Sequence, residues 1–78
     1  MSWSDSLSFR IQLRDGREME TLRDAAELVA NFTEGVQAHP WVQDAAQLLM
    51  KAAESGSAED IEEATWQLER ALRREGML

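Results

Sequence analysis

"LSFRIQLRDGREMETLRDAAELV", residues 7–29, changes its hydrophobic period partway along, and that change decides the fold. Leu7, Phe9, Ile11 and Leu13 alternate with Ser8, Arg10 and Gln12, which is the pattern of a strand buried on one face. Beyond Thr21 the apolar residues Leu22, Ala25, Ala26, Leu28, Val29 and Phe32 fall on one face of a helix, with Arg23, Glu27, Asn31 and Glu34 away from it. The residues between, Arg14-Asp15-Gly16, read as a hairpin loop. A two-residue loop would set Ile11 against Glu20. A three-residue loop with Gly16 in the left-handed conformation sets Ile11 against Met19 and Phe9 against Thr21. The three-residue loop is expected because it keeps one face of the hairpin apolar.

Thr21 then serves as the N-cap of the first helix, with Asp24 in the first turn where the helix dipole favours it. Gly35 is the expected stop. Pro40 suits the first turn of a second helix from about Trp41 to Glu54, with Val42, Ala45, Leu48, Leu49, Ala52 and Ala53 as its apolar stripe. Ser57 caps a third helix, Glu59 and Asp60 occupy its first turn, and Gly76 ends it after Arg73 and Arg74. The reading is an α+β fold, an N-terminal β-hairpin followed by three α-helices packed on it. Residues 1–6 are expected to be loose and residues 7–78 to form a single domain.

Composition narrows the function classes. A chain of 78 residues sits near the size at which one core yields only a few kcal/mol of net stability, and without cysteine no disulfide or thiolate zinc site can add to it. Eight basic against fifteen acidic residues give a net charge of -7, a field that opposes nucleic acid and anionic membranes. No apolar run approaches the roughly 18 residues of a membrane span. The start, "MSWSDSLSF", lacks the basic and apolar regions of an export signal. A cytoplasmic location is expected, with no nucleic-acid or membrane partner.

The short strand and "DG" turn, "TLRDAAELV" at residues 21–29, the Pro40-Trp41 neighbourhood and "ALRREGM" at residues 71–77 together resemble the small proteobacterial, rhizobial-type domain-of-unknown-function family 982. The resemblance extends from about residue 7 to residue 78. It rests on Thr21, Arg23, Ala25 and Ala26 at the first helix, and on Ala71, Arg73 and Gly76 at the end of the last. It implies a hairpin followed by helices and a bacterial origin, and it implies no activity.

No catalytic, cofactor-binding or metal-binding constellation is expected from the residues. The lone histidine, His39, reads as a turn residue before Pro40 rather than as a base beside a nucleophile. Glu59, Asp60, Glu62 and Glu63 fan around a helix start, as a solvated face favoured by the dipole does. The four glycines are isolated and make no phosphate loop.

Two surfaces remain as interaction candidates. Arg10, Arg14, Arg17 and Arg23 surround the hairpin, either as a basic patch for an acidic partner or phosphate or as an ordinary charged strand face. Trp66 lies about 140 degrees from Ile61 around the last helix, outside its apolar stripe and near Arg70 and Arg73. Its ring either covers the hairpin or the N-terminal tail, with Trp3 and the Arg70 stem, or anchors a partner. The expected function is therefore an acidic, non-catalytic protein-interaction module, with homodimerisation through paired hairpins as one form of it. The alternative is an accessory domain that binds a small anion or ligand through the hairpin arginines.

Overall fold

The computed structural model describes residues 3–78. Strand β1 (Ser6–Gln12) pairs antiparallel with β2 (Glu18–Thr21). The helices follow as α1 (Leu22–Ala30), α2 (Glu34–Gln37), α3 (Pro40–Ser55) and α4 (Ala58–Arg74). The architecture is α+β as expected, with one short helix, α2, added to the three read from the sequence.

The hairpin closes through the three-residue loop. Leu13 N–H donates to the Arg17 carbonyl at 2.7 Å, Gly16 N–H donates to the Leu13 carbonyl at 3.0 Å, and Ile11 faces Met19. Gly16 has φ +96°, a conformation in which a Cβ would be strained. The next expected pair does not form, because Thr21 faces Ser6 rather than Phe9 and β1 is irregular between Ser6 and Ile11. Thr21 acts as N-cap and ends β2, level with Ser6 at the start of β1, so the extra residues of β1 between Ser6 and Ile11 bulge opposite Glu20.

That cap is a reciprocal box. Asp24 N–H donates to Thr21 Oγ1 at 3.1 Å, and Asp24 Oδ2 accepts from Thr21 N–H at 3.2 Å. The two preceding first-turn donors are satisfied from the N-terminal segment. Leu22 N–H donates to the Asp5 carbonyl at 3.0 Å, and Arg23 N–H to the Trp3 carbonyl at 2.9 Å. Trp3 and Asp5, within the stretch expected to be loose, are thus the acceptors that complete α1; residues 1 and 2 lie outside the described residues.

Helix α1 ends at Ala30, before the glycine expected to stop it. Gly35 lies inside α2 instead. The stop is made by side chains. Gln37 Nε2 donates to the carbonyls of Val29, Ala30 and Phe32 at 3.1, 3.2 and 3.1 Å, so α2 exists to carry the cap of α1. The other boundaries follow the sequence closely. Pro40 opens α3, Gly56 ends it in the left-handed conformation, and Ser57 caps α4 through Asp60 N–H at 3.1 Å.

Helices α3 and α4 form a helical hairpin whose buried alanines, Ala45, Ala52, Ala53, Ala64 and Ala71, permit close approach. Helix α4 also packs on β1, and α1 packs on both β2 and α3. The shared core includes Leu7, Ile11, Leu13, Met19, Leu22, Leu49, Leu68 and Leu72. Among the described residues no helix is long and apolar enough to cross a membrane.

One buried polar residue ties the two halves together. Thr65 is fully buried on α4; its hydroxyl donates to the Ile61 carbonyl at 2.7 Å and accepts from Ser8 N–H of β1 at 3.1 Å. The strand therefore borrows an acceptor from the helix within its irregular stretch between Ser6 and Ile11. Replacing the hydroxyl with a methyl group removes the acceptor of this part-buried bond, which costs about 1 kcal/mol. Thr65→Val is expected to lower the urea midpoint accordingly at an unchanged denaturant slope, and Thr65→Ser, which keeps the hydroxyl, loses about 1 kcal/mol for one buried methyl.

Candidate functional site

The Thr65–Ser8 hydrogen bond places the next residues of each element together. Trp66 meets Phe9 of β1 edge to face, with ring centroids 4.8 Å apart and planes at 63°. Trp66 is nonetheless 49% exposed, among the described residues one of two large apolar side chains left at the surface, the other being Met50 at 55%. Its ring does cover the hairpin. The other expected neighbours are elsewhere. Trp3 packs beside Ala26 and Val29 on α1, and among the described residues the guanidinium that stacks on a tryptophan is that of Arg74, 5.0 Å from the Trp41 centroid. Arg70 is exposed, and Arg73 pairs with Glu69 at 2.7 Å along the same helix.

Helix α4 is polarised around this tryptophan. Glu59, Glu62 and Glu63 are exposed on its N-terminal half, and Arg70, Arg73 and Arg74 on its C-terminal half. Asp60 is withdrawn from the acidic set. Ser55 Oγ donates to it at 2.5 Å and Lys51 lies 3.7 Å away, so it is held below the ordinary aspartate range by the Ser55 hydroxyl first, with Ser57 and Lys51 adding to the effect. Among the described residues no three metal-ligating side chains converge.

The hairpin arginines do not form one basic patch. Arg10 lies 3.6 Å from Glu18 and 3.8 Å from Glu20 across the sheet, and Arg17 folds back on Asp15 at 2.7 Å. Arg14 is exposed in the loop, where its N–H donates to the Met77 carbonyl at 2.7 Å, and Arg23 is exposed at the start of α1. Each guanidinium thus has a separate setting, and they do not aim at a common point. An apolar groove of about 340 Å³ lies between α1 and α3, lined by Trp3, Ala26, Val29, Ala46, Leu49 and Met50, and no arginine reaches it; a shallower hollow of about 450 Å³ beside it is lined by Trp3, Arg23, Ala26, Glu27 and Ala30.

A cluster at the end of α4 was not legible from spacing. The Glu75 carboxylate oxygen Oε2 accepts from Trp41 Nε1–H at 2.8 Å and from His39 Nδ1–H at 2.7 Å. The His39 and Trp41 rings lie 4.7 Å apart. His39 is the N-cap residue of α3 but makes no side-chain cap, because its ring is turned to Glu75. The available signal was the placement of two ring N–H donors either side of Pro40, yet their acceptor lies 34 and 36 residues away. Catalysis of the serine–histidine type would need the second ring nitrogen to hold a nucleophile. Among the described residues Nε2 makes no hydrogen bond. The cluster reads as a clamp between the start of α3 and the end of α4.

Comparison with protein-family models, curated proteins and solved structures finds no match to this chain. The candidate surfaces therefore stand on their own geometry.

The Trp41 indole first, then His39, holds the Glu75 carboxyl below the ordinary glutamate value of 4.5, although partial desolvation opposes the shift. A depressed folded-state value means stability that is fully present above 4.5 and lost as pH falls through the folded value. Glu75→Gln removes this linkage. The stability difference between wild type and Glu75→Gln is expected to shrink as urea melts are moved from neutral pH to well below 4.5. The lowered carboxyls of Asp15, Asp24 and Asp60 are common to both proteins and cancel in the comparison.

Proposed function

We propose that the chain is a small, cytoplasmic, non-catalytic protein-interaction module that works through the outer face of α4 and the adjoining Phe9 of β1. The observation that carries the reading is Trp66, half exposed yet fixed edge-on to Phe9 and flanked by the exposed Arg70. Tryptophan and arginine are the residues that most often dominate binding when truncated, and a single well-placed ring can carry several kcal/mol of an interface.

Three observations favour this face over the hairpin edges as the contact. Ser8 N–H is taken by Thr65, Arg14 N–H by the Met77 carbonyl, and Glu20 N–H by Asp24 Oδ2 at 3.0 Å. A further strand would have to displace these bonds, and along β2 it would also meet the charges of Glu18 and Glu20. The small-anion alternative is disfavoured at Arg10 and Arg17, which already face carboxylates, and rests on Arg14 and Arg23.

The test is site-specific photo-crosslinking in cells that express the chain. A photoreactive residue at position 66 is expected to give a covalent protein adduct, while the same residue at the exposed Glu27 position on α1 gives none. Adducts from position 50 but not from position 66 would move the contact to the α1–α3 groove. No adduct from position 66 under any growth condition overturns the proposal.

A further inference from the structure

We infer that the partner of this face is a second copy of the chain, with α4 lying antiparallel on α4 about a two-fold axis at Trp66. The inference rests on the reading of the Trp66 face as an interaction surface and goes on to name its occupant. At about 100 degrees per residue, positions 59, 62, 66, 70 and 73 fall within about 40 degrees either side of Trp66. Their identities are Glu, Glu, Trp, Arg and Arg, and Glu59, Glu62, Arg70 and Arg73 are exposed. The spacings, three, four, four and three, read the same in both directions.

An antiparallel pair centred on position 66 therefore sets Glu62 against Arg70 of the partner subunit and Glu59 against Arg73 of the partner subunit. The two-fold axis repeats each contact. The tryptophans meet at the centre, each backed by its own Phe9. A partner of uniformly acidic or basic surface would match only half of this face and repel the other half. The surface that matches all of it is the same face turned end for end.

The net charge of -7 makes this selectivity sharper. Two copies repel in most orientations, so a contact between them must come through a face whose own charges balance, as these four do. Arg73 can keep Glu69 at 2.7 Å and still reach across, because a guanidinium has several donors and this one is 71% exposed. The like-charged approach, Glu63 to Glu69 of the partner subunit, lies about 60 degrees off the central line on each helix. A helix of 17 residues is about 25 Å long. A contact of that length buries less than the roughly 1,200 Å² of a standard complex, which places the dimer in the weak, reversible class.

Sedimentation of the full chain across micromolar to millimolar concentration tests the inference, with circular dichroism checking that each variant is folded. Wild type is expected to show a reversible monomer–dimer equilibrium. Arg70→Glu and Glu62→Arg should each weaken it by about tenfold or more, because each turns two attractive contacts into repulsive ones. The decisive arm is the mixture. Arg70→Glu chains have glutamate at both positions and Glu62→Arg chains have arginine at both, so the two weakened proteins should dimerise with each other. The double variant Glu62→Arg/Arg70→Glu should also dimerise with itself at close to wild-type strength. Residues 62 and 70 are two helical turns apart, so an effect within one chain cannot produce either rescue. A wild-type monomer throughout, or a dimer indifferent to these charges, overturns the inference. A monomer whose position 66 still crosslinks to another protein would overturn the self-partner alone, whereas a monomer without such adducts removes the interaction reading as well.

Discussion

The hydroxyl of Thr65 is the constraint on which the arrangement depends. A two-stranded hairpin is marginal in water, and this one is irregular because β1 has more residues than β2 between the Ser6–Thr21 and Ile11–Met19 pairs. Strand β1 then has a backbone N–H at Ser8 directed away from its partner strand, and a fully buried threonine supplies the acceptor. Because that threonine also donates to the Ile61 carbonyl, both of its roles are satisfied inside the protein. The same bond sets the phase of α4 against β1. With Thr65 turned inward, Trp66 must lie about 100 degrees further round, and there it meets Phe9, the residue after Ser8.

Similar economy governs the rest of the backbone. The domain is only 17 Å thick along its shortest axis, so few of its backbone groups can be hidden behind a second layer. Hydrogen-bond partners are taken from whatever chain is nearby. The Trp3 and Asp5 carbonyls complete the start of α1, the Gln37 amide covers its end, and the Met77 carbonyl reaches back to Arg14 in the hairpin loop. Segments that look like tails or linkers in the sequence thereby satisfy the helix and hairpin ends. Among the described residues no buried side-chain nitrogen or oxygen lacks a partner.

The parts of the fold legible in the sequence are those fixed by local chemistry. The side-chain period set the two strands apart from the helices, Gly16 selected the loop and hence the Ile11–Met19 register, and Thr21, Ser57 and Gly76 marked ends. What failed did so where two local demands compete. Phe9 does not pair with Thr21 because β1 bulges between Ser6 and Ile11 and brings Ser6 to that place, and Gly35 was read as a stop although a glutamine two residues later makes the stop. The arginine patch could have been resolved in advance. Glu18 and Glu20 share a sheet face with Arg10 in the register that was expected, so cross-strand pairing of opposite charges follows from it. Thr65 and Glu75 are different in kind, because their partners are distant in sequence and nothing in the spacing points to them.

The phase of Trp66 posed a choice between packing and contact, and the geometry removes the opposition. One edge of the ring is fixed against Phe9 while about half of the residue stays in water. Immobilising a flexible side chain on binding costs about 0.5–1.5 kcal/mol, and a ring already held by its own strand avoids most of that cost. Packing and the proposed contact are thus compatible in one residue. A tryptophan on a bare helix would have to be ordered by its partner, whereas this one is ordered in the monomer by β1, whose position is set in turn by the buried hydroxyl next to it. The exposed ring and the buried hydroxyl are consecutive residues of one helix, and each meets one of two consecutive residues of β1, so Thr65 and Trp66 are linked through Ser8 and Phe9.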